Sequence, residues 1–135
     1  MVPVVLVMHQ PLGDAFAQCA RHVLGGELPH LHVVDIAPDA DIDRVCDGLV
    51  QQLMGYTPQG ALVLCDLYGA TPFNIAQRAV QRVRKHGVSA AILSGANLYM
   101  VLKALTDPVA DPESLRASVR ARVLRGIVGS DSTDE

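Results

Sequence analysis

At 135 residues with a formal charge of −3, the chain is about one domain long and can bury a core on folding without disulfide or metal staples. Half of its residues are apolar and 19% are charged, which excludes a disordered chain, and no stretch interleaves basic with aromatic residues, which excludes a nucleic-acid footprint. Cys19, Cys46 and Cys65 form no CxxC pair, so they read as small buried hydrophobes in a reducing, cytoplasmic compartment rather than as zinc or redox ligands.

The opening run from Val2 to Met8 falls far short of the roughly 20 apolar residues that cross a bilayer. It also lacks the charged front and cleavage site of a signal peptide. It is therefore read as a first strand, not a membrane insertion, and its β-branched Val4-Val5-Leu6-Val7 suits burial on both faces. A first helix follows, with Leu12, Phe16, Cys19, Ala20, Val23 and Leu24 at helical spacing and Gly25-Gly26 as its stop. Leu31 to Ile36 forms the second strand. Asp39 or Asp41 then caps a second helix whose inward stripe is Ile42, Val45, Cys46, Leu49, Val50 and Leu53, ending near Gly55.

Ala61 to Cys65 forms the third strand. Thr71-Pro72 opens the third helix: the Thr hydroxyl can cap free amides, and Pro needs no donor in the first turn. That helix buries Phe73, Ala76, Val80 and Val83. Val88 to Leu93 makes the fourth strand, and Leu98, Val101, Leu102 and Leu105 mark a short helix after it. Asp111-Pro112 begins the last helix, with Leu115, Val119 and Val123 inward. Gly126 to Gly129 either ends that helix or adds a fifth, edge strand; the residues leave both readings open.

Strands separated by helices pair in parallel through right-handed crossovers. The expected fold is an open, doubly wound, mainly parallel α/β sheet of order 2-1-3-4 with helices on both faces, built by residues 1–129 and followed by a loose tail from Ser130 to Glu135. In such a sheet the ligand crevice opens at the carboxyl ends of strands 1 and 3, where the winding reverses. Those ends carry His9 and Asp66, on strands about 4.8 Å apart.

Directly after Asp66, the small-residue turn Leu67-Tyr68-Gly69-Ala70-Thr71-Pro72 feeds a helix whose amino end faces the same crevice. Free amides and the macrodipole there favour an anion by roughly 0.3 to 2 kcal/mol, which makes Gly69, Ala70 and Thr71 candidate phosphate-binding residues. A neutral imidazole nitrogen is a good nucleophile near pH 7 and forms a reactive phosphorus-nitrogen bond. A carboxylate on the other nitrogen fixes the tautomer and stabilises positive charge. The expected chemistry is phosphoryl acceptance by His9 with Asp66 orienting the ring. Tyr68 and Tyr99 either form a rim for a partner protein or cover the sheet edge.

The chain resembles the mannose-type enzyme IIA proteins of the bacterial phosphoenolpyruvate:sugar phosphotransferase system. Three stretches carry the resemblance: His9 after the opening strand; Asp66-Leu67-Tyr68-Gly69-Ala70-Thr71-Pro72-Phe73-Asn74, similar to that family's D-x-x-G-[GAS]-[ST]-P-[FC]-N; and Gly95-Ala96-Asn97-Leu98-Tyr99-Met100. It implies that an HPr-type phosphocarrier delivers phosphate to His9 with no metal or other cofactor, and that a downstream IIB-type domain receives it. It implies further that the Asn97 turn lines the same edge, and that the protein is a homodimer, a role for which Gly126 to Gly129 could supply a strand to the partner's sheet. Where that family has a small hydroxyl residue before its histidine and Gly after it, this chain has Met8 and Gln10-Pro11.

Rival readings are a regulatory phospho-sensor using the same His9, a receiver-like module phosphorylated on Asp66, and a phosphatase on the same fold. A receiver needs further acids for Mg²⁺ after strand 1, where His9 stands. A cysteine phosphatase needs Arg six residues after its Cys, where Thr71 stands. His22, His30, His32 and His86 read as solvated or structural. Asp35, Asp39, Asp41 and Asp43 read as helix caps and solubilising charges, because they lack the Gly and terminal Glu of a calcium loop.

Overall fold

A computed structural model describes residues 1–130. Its four strands, β1 (Val4–His9), β2 (Leu31–Ile36), β3 (Ala61–Cys65) and β4 (Ala90–Leu93), alternate with five helices: α1 (Leu12–Leu24), α2 (Ile42–Met54), α3 (Thr71–Lys85), α4 (Leu98–Thr106) and α5 (Pro112–Val123). The strands lie in the order β2-β1-β3-β4, and every neighbouring pair is parallel. The register sets Val7 opposite Cys65 and His9 opposite Ile36.

Strand residues alternate between the two faces of the sheet. Val5, Val7, Val63 and Cys65 pack with α2 and α3 on one side, while Val4, Leu6, Met8, Leu62 and Leu64 pack with α1, α4 and α5 on the other. All of these strand side chains are fully buried, and each contributes roughly 1.5 to 3 kcal/mol if aliphatic and of Val or Leu size. Apart from His9 at the end of β1, the two central strands are thus apolar, as a sheet covered on both faces requires.

Side chains cap three helices, at Asp41 and Asp111 as the sequence suggests and at Asn97 where it does not. Asp41 accepts from the Arg44 amide at 3.2 Å, Asn97 from Met100 at 2.8 Å and Asp111 from Ser114 at 2.9 Å. The start of α3 departs from expectation: Ala70 is the extended cap residue, Thr71 is already helical, and no side chain caps the amides. The Thr71 hydroxyl is thereby left out of the capping role that the sequence predicts for it.

Two further expectations are corrected, and one of the two readings left open at the carboxyl end drops out. The fourth strand begins at Ala90, not Val88, because the Val88 amide is spent on the Val83 carbonyl, closing the end of α3 after Gly87 turns at φ 82°. On α1 the inward face is made of Gly13, Ala17 and Ala20, which places Leu12, Cys19, Val23 and Leu24 on the exposed side; small residues let this helix sit close to the sheet. The carboxyl-terminal segment forms a 3-10 turn at Leu124–Gly126, and 127–129 has no regular structure, so no fifth strand exists among the described residues. Of the tail expected from Ser130 to Glu135, residues 131–135 lie outside the described residues.

Candidate functional site

His9 is the last residue of β1 and continues the Val5–Val7 face, so its ring emerges on the side covered by α2 and α3. Asp66 follows β3 directly. The two meet twice: Asp66 Oδ2 accepts from the His9 backbone N–H at 3.1 Å and lies 2.7 Å from His9 Nδ1. The other carboxylate oxygen accepts from the Leu67 amide at 3.0 Å. The His9 side chain is 48% exposed and that of Asp66 only 7%, so the carboxylate is sunk behind an imidazole that faces outward.

Burial acts to push the Asp66 carboxyl up, but the hydrogen bonds from His9 ring and backbone and from the local amide outweigh it and hold the group below the usual carboxylate range. A carboxylate only accepts, so in the neutral imidazole Nδ1 is the protonated nitrogen and Nε2 keeps the lone pair. Both Asp66 oxygens are engaged in these bonds. Burial, reinforced by the neighbouring Asp66 charge, pushes the adjacent Cys65 thiol up to about 12, so at neutral pH it supplies no thiolate.

A cleft of about 180 Å³ opens beside the ring, lined by His9, Gln10, Ile36, Ala37, Pro38, Thr71 and Pro72. Thus the ends of β1 and β2 and the amino end of α3 share one small concavity. Gly69, with φ 78°, turns the chain into Ala70 and α3, and its carbonyl accepts from the Asn74 side chain at 3.2 Å. Tyr68 projects to solvent at 81% exposure with its ring against Phe73, 4.9 Å between centroids. Asn97 is occupied as the cap of α4 and lines a different groove, formed by β4, α4, α5 and Ile127. Of the residues predicted to gather at the crevice, His9, Asp66 and Thr71 come together, Gly69 and Ala70 lead into it, and Tyr68 and Asn97 stand outside its lining.

Sequence reasoning assigned no place at the crevice to four residues. Ala37 and Pro38 form a wall of the cleft, Gln10 lines it beside His9, and Asp35 anchors its border by accepting from the Gly13 and Asp14 amides at 2.8 and 3.0 Å. Asp35 therefore caps α1 from another strand, satisfying amides that Pro11, the preceding residue, has no side chain to meet. The remaining histidines lie elsewhere: His30 Nε2 is 3.1 Å from the Leu105 carbonyl, and His32 packs on Tyr56. Among the described residues no three of His, Cys, Asp and Glu converge where a metal ion could sit, and no helix is long and apolar enough to cross a membrane.

The model of the EIIA-man family, described as the PTS system fructose IIA component, matches residues 3–121. The sorbose-specific EIIA component of the phosphotransferase system of Lacticaseibacillus casei is 26% identical over 100 residues, which is 74% of this chain and 69% of that protein. Two solved structures share the fold at 23% identity. The mannose/sorbose specific IIA subunit from Enterococcus faecalis superposes with a TM-score of 0.81, covering 97% of this chain and 96% of that one. The EIIA component from Streptococcus agalactiae superposes at 0.83, covering 96% and 97%. With a family match across residues 3–121 laid over a parallel sheet of order 2-1-3-4, the chain belongs to the mannose-type enzyme IIA family of the phosphotransferase system.

Proposed function

We propose that the chain is a phosphoryl carrier that accepts the group on His9 Nε2 from an HPr-type phosphocarrier and passes it to a downstream IIB-type component. The observation that carries this reading is the 2.7 Å contact between His9 Nδ1 and the buried carboxylate of Asp66, which leaves the opposite nitrogen free and outward. In the transfer, the Nε2 lone pair attacks phosphorus as the donor's phosphorus-nitrogen bond breaks. The donor ring leaves neutral, the proton stays on Nδ1, and the positive charge gained by the His9 ring lies against Asp66. No proton has to move and no cofactor enters the balance. The uncapped amino end of α3, with Thr71 in the cleft, supports the placement of the phosphoryl oxygens there.

The test is incubation with phosphoenolpyruvate, enzyme I and HPr, followed by intact-mass measurement. The wild-type chain should gain one acid-labile phosphate and His9→Ala none; label persisting on His9→Ala would sink the assignment.

The same reading includes a homodimer. β4 is an edge strand with β3 as its sole strand neighbour, and beside it lies a groove of about 620 Å³ bordered by Ile127, itself 67% exposed, with Val128 at 50%. Association through this edge would cover both. Light scattering should give twice the chain mass for wild type and a smaller mass for Ile127→Asp; a monomeric wild-type chain would remove the dimer from the reading.

A further inference from the structure

We propose that the Gln10 carboxamide clamps the phosphoryl group held by His9, donating its amide N–H to a non-bridging oxygen. This rests on the carrier reading above and adds to it a residue that directly meets the transferred group.

Gln10 follows the acceptor in sequence and lines the same cleft, opposite Thr71 and Pro72. Its backbone is fixed: its N–H donates to the Ile36 carbonyl at 3.1 Å, and Pro11 follows, locking the next φ. The side chain is therefore the adjustable part of this residue, held on a stationary stem at the cleft wall.

The hydrogen bonds around the cleft join His9, Asp66 and Leu67, tie Asp35 to the start of α1, and link Asn74 to Gly69. Among the described residues they leave two cleft-lining side-chain donors uncommitted, the Gln10 carboxamide and the Thr71 hydroxyl. Pro72 has no N–H to offer. No Lys or Arg lines the cleft, so the negative oxygens of a phosphoryl group on Nε2 must be met by neutral donors. Gln10 and Thr71 stand on opposite walls, one on the β1 side and one on the α3 side. A carboxamide donates without titrating, so it holds the group at any working pH and lacks the full charge that would hinder its release.

The experiment compares wild type, Gln10→Ala and Gln10→Glu in the presence of phosphoenolpyruvate, enzyme I and HPr. The quantity read is the equilibrium ratio of phosphorylated chain to phosphorylated HPr. One charge-assisted hydrogen bond in a half-open site is expected to move that ratio toward HPr by roughly three- to ten-fold in Gln10→Ala. Gln10→Glu keeps the length, loses the donor and adds a charge, so its shift should be larger. In ¹H–¹⁵N spectra of wild type, the Gln10 side-chain amide should move downfield on phosphorylation, a change that a merely structural role would not produce. An unmoved Gln10 resonance with equal ratios in all three proteins, while His9 is phosphorylated, overturns the clamp alone. Absence of phosphate on wild-type His9 overturns the carrier reading and the clamp together.

Discussion

One oxygen of Asp66 receives both the backbone N–H and the ring Nδ1–H of His9, at 3.1 and 2.7 Å. A single buried acceptor thus fixes both the course of the chain after β1 and the ring nitrogen left for chemistry. Asp66→Asn preserves size and can keep the backbone bond, but it removes the charge that faces the phosphorylated ring. Single-turnover transfer from phosphorylated HPr should slow by roughly 10- to 100-fold, the usual cost of losing a partner that orients a functional imidazole. Transfer at the wild-type rate would take Asp66 out of the mechanism.

Acid sensitivity has a definite source in Asp107, whose side chain is 3% exposed. The Ser118 hydroxyl at 2.6 Å is the main cause of its lowered pKa; burial opposes it, and the Val109 amide and Arg122 add to it. The folded state therefore holds fewer protons on this group than the unfolded chain, whose aspartates titrate near pH 3.9. The stability it contributes is present above about pH 4 and is lost as pH falls through the lower, folded value. Asp66, lowered likewise, acts in the same sense. Asp107→Asn should cost about 1 to 3 kcal/mol at pH 7 and flatten the acid limb of stability measured by urea unfolding between pH 7 and pH 3. A variant with the full wild-type pH slope would contradict this.

A Cβ on Gly13 would collide with Asp35 Oδ1 and come within 2.9 Å of Val33 Cγ1. Gly13→Ala should therefore cost about 1 to 3 kcal/mol, while Asp35→Ala, which strips two amides of their acceptor, should cost roughly 0.5 to 2 kcal/mol. In the double variant the colliding carboxylate is gone, so the combined loss in denaturant titrations should be less than the sum of the two. Strict additivity would show that the two positions act independently.

The three thiols should separate cleanly toward an aromatic disulfide reagent. Cys19 is exposed, whereas Cys46 and Cys65 are buried, and Cys65 is further silenced by its pKa of about 12. One thiol should react fast in the folded protein and the other two only on unfolding. Rapid titration of two thiols in native buffer would show that the sheet opens more readily than its packing implies.

Period and punctuation make the four strands, their order and the five helices legible in the sequence, because short, largely apolar runs broken by helical stripes admit few solutions. The His9–Asp66 pair is legible for the same reason, since topology alone brings two strand ends together. Details decided by tertiary packing are not. The exposure of Leu12 and Val23 depends on how closely Gly13 and Ala17 let α1 approach the sheet. Thr71 looks like a cap by residue type, yet Ala70 takes that position. Asp35 supplies its cap from 21 and 22 residues away, a distance that local spacing cannot express, and Gln10 acquires meaning only once Thr71 faces it.

β2 holds the acceptor loop from the side: Ile36 takes the Gln10 amide, and Asp35 takes the first amides of α1. Yet β2 lies at the rim of the sheet, with β1 as its sole strand neighbour. Rim strands open by fluctuation at lower free energy than central ones, and each opening here would unfasten the segment that carries His9. The readiness of the imidazole is thereby linked to how often its outermost neighbour peels away, and amide exchange at Gln10 and Gly13 should keep pace with that of β2 rather than with that of β3.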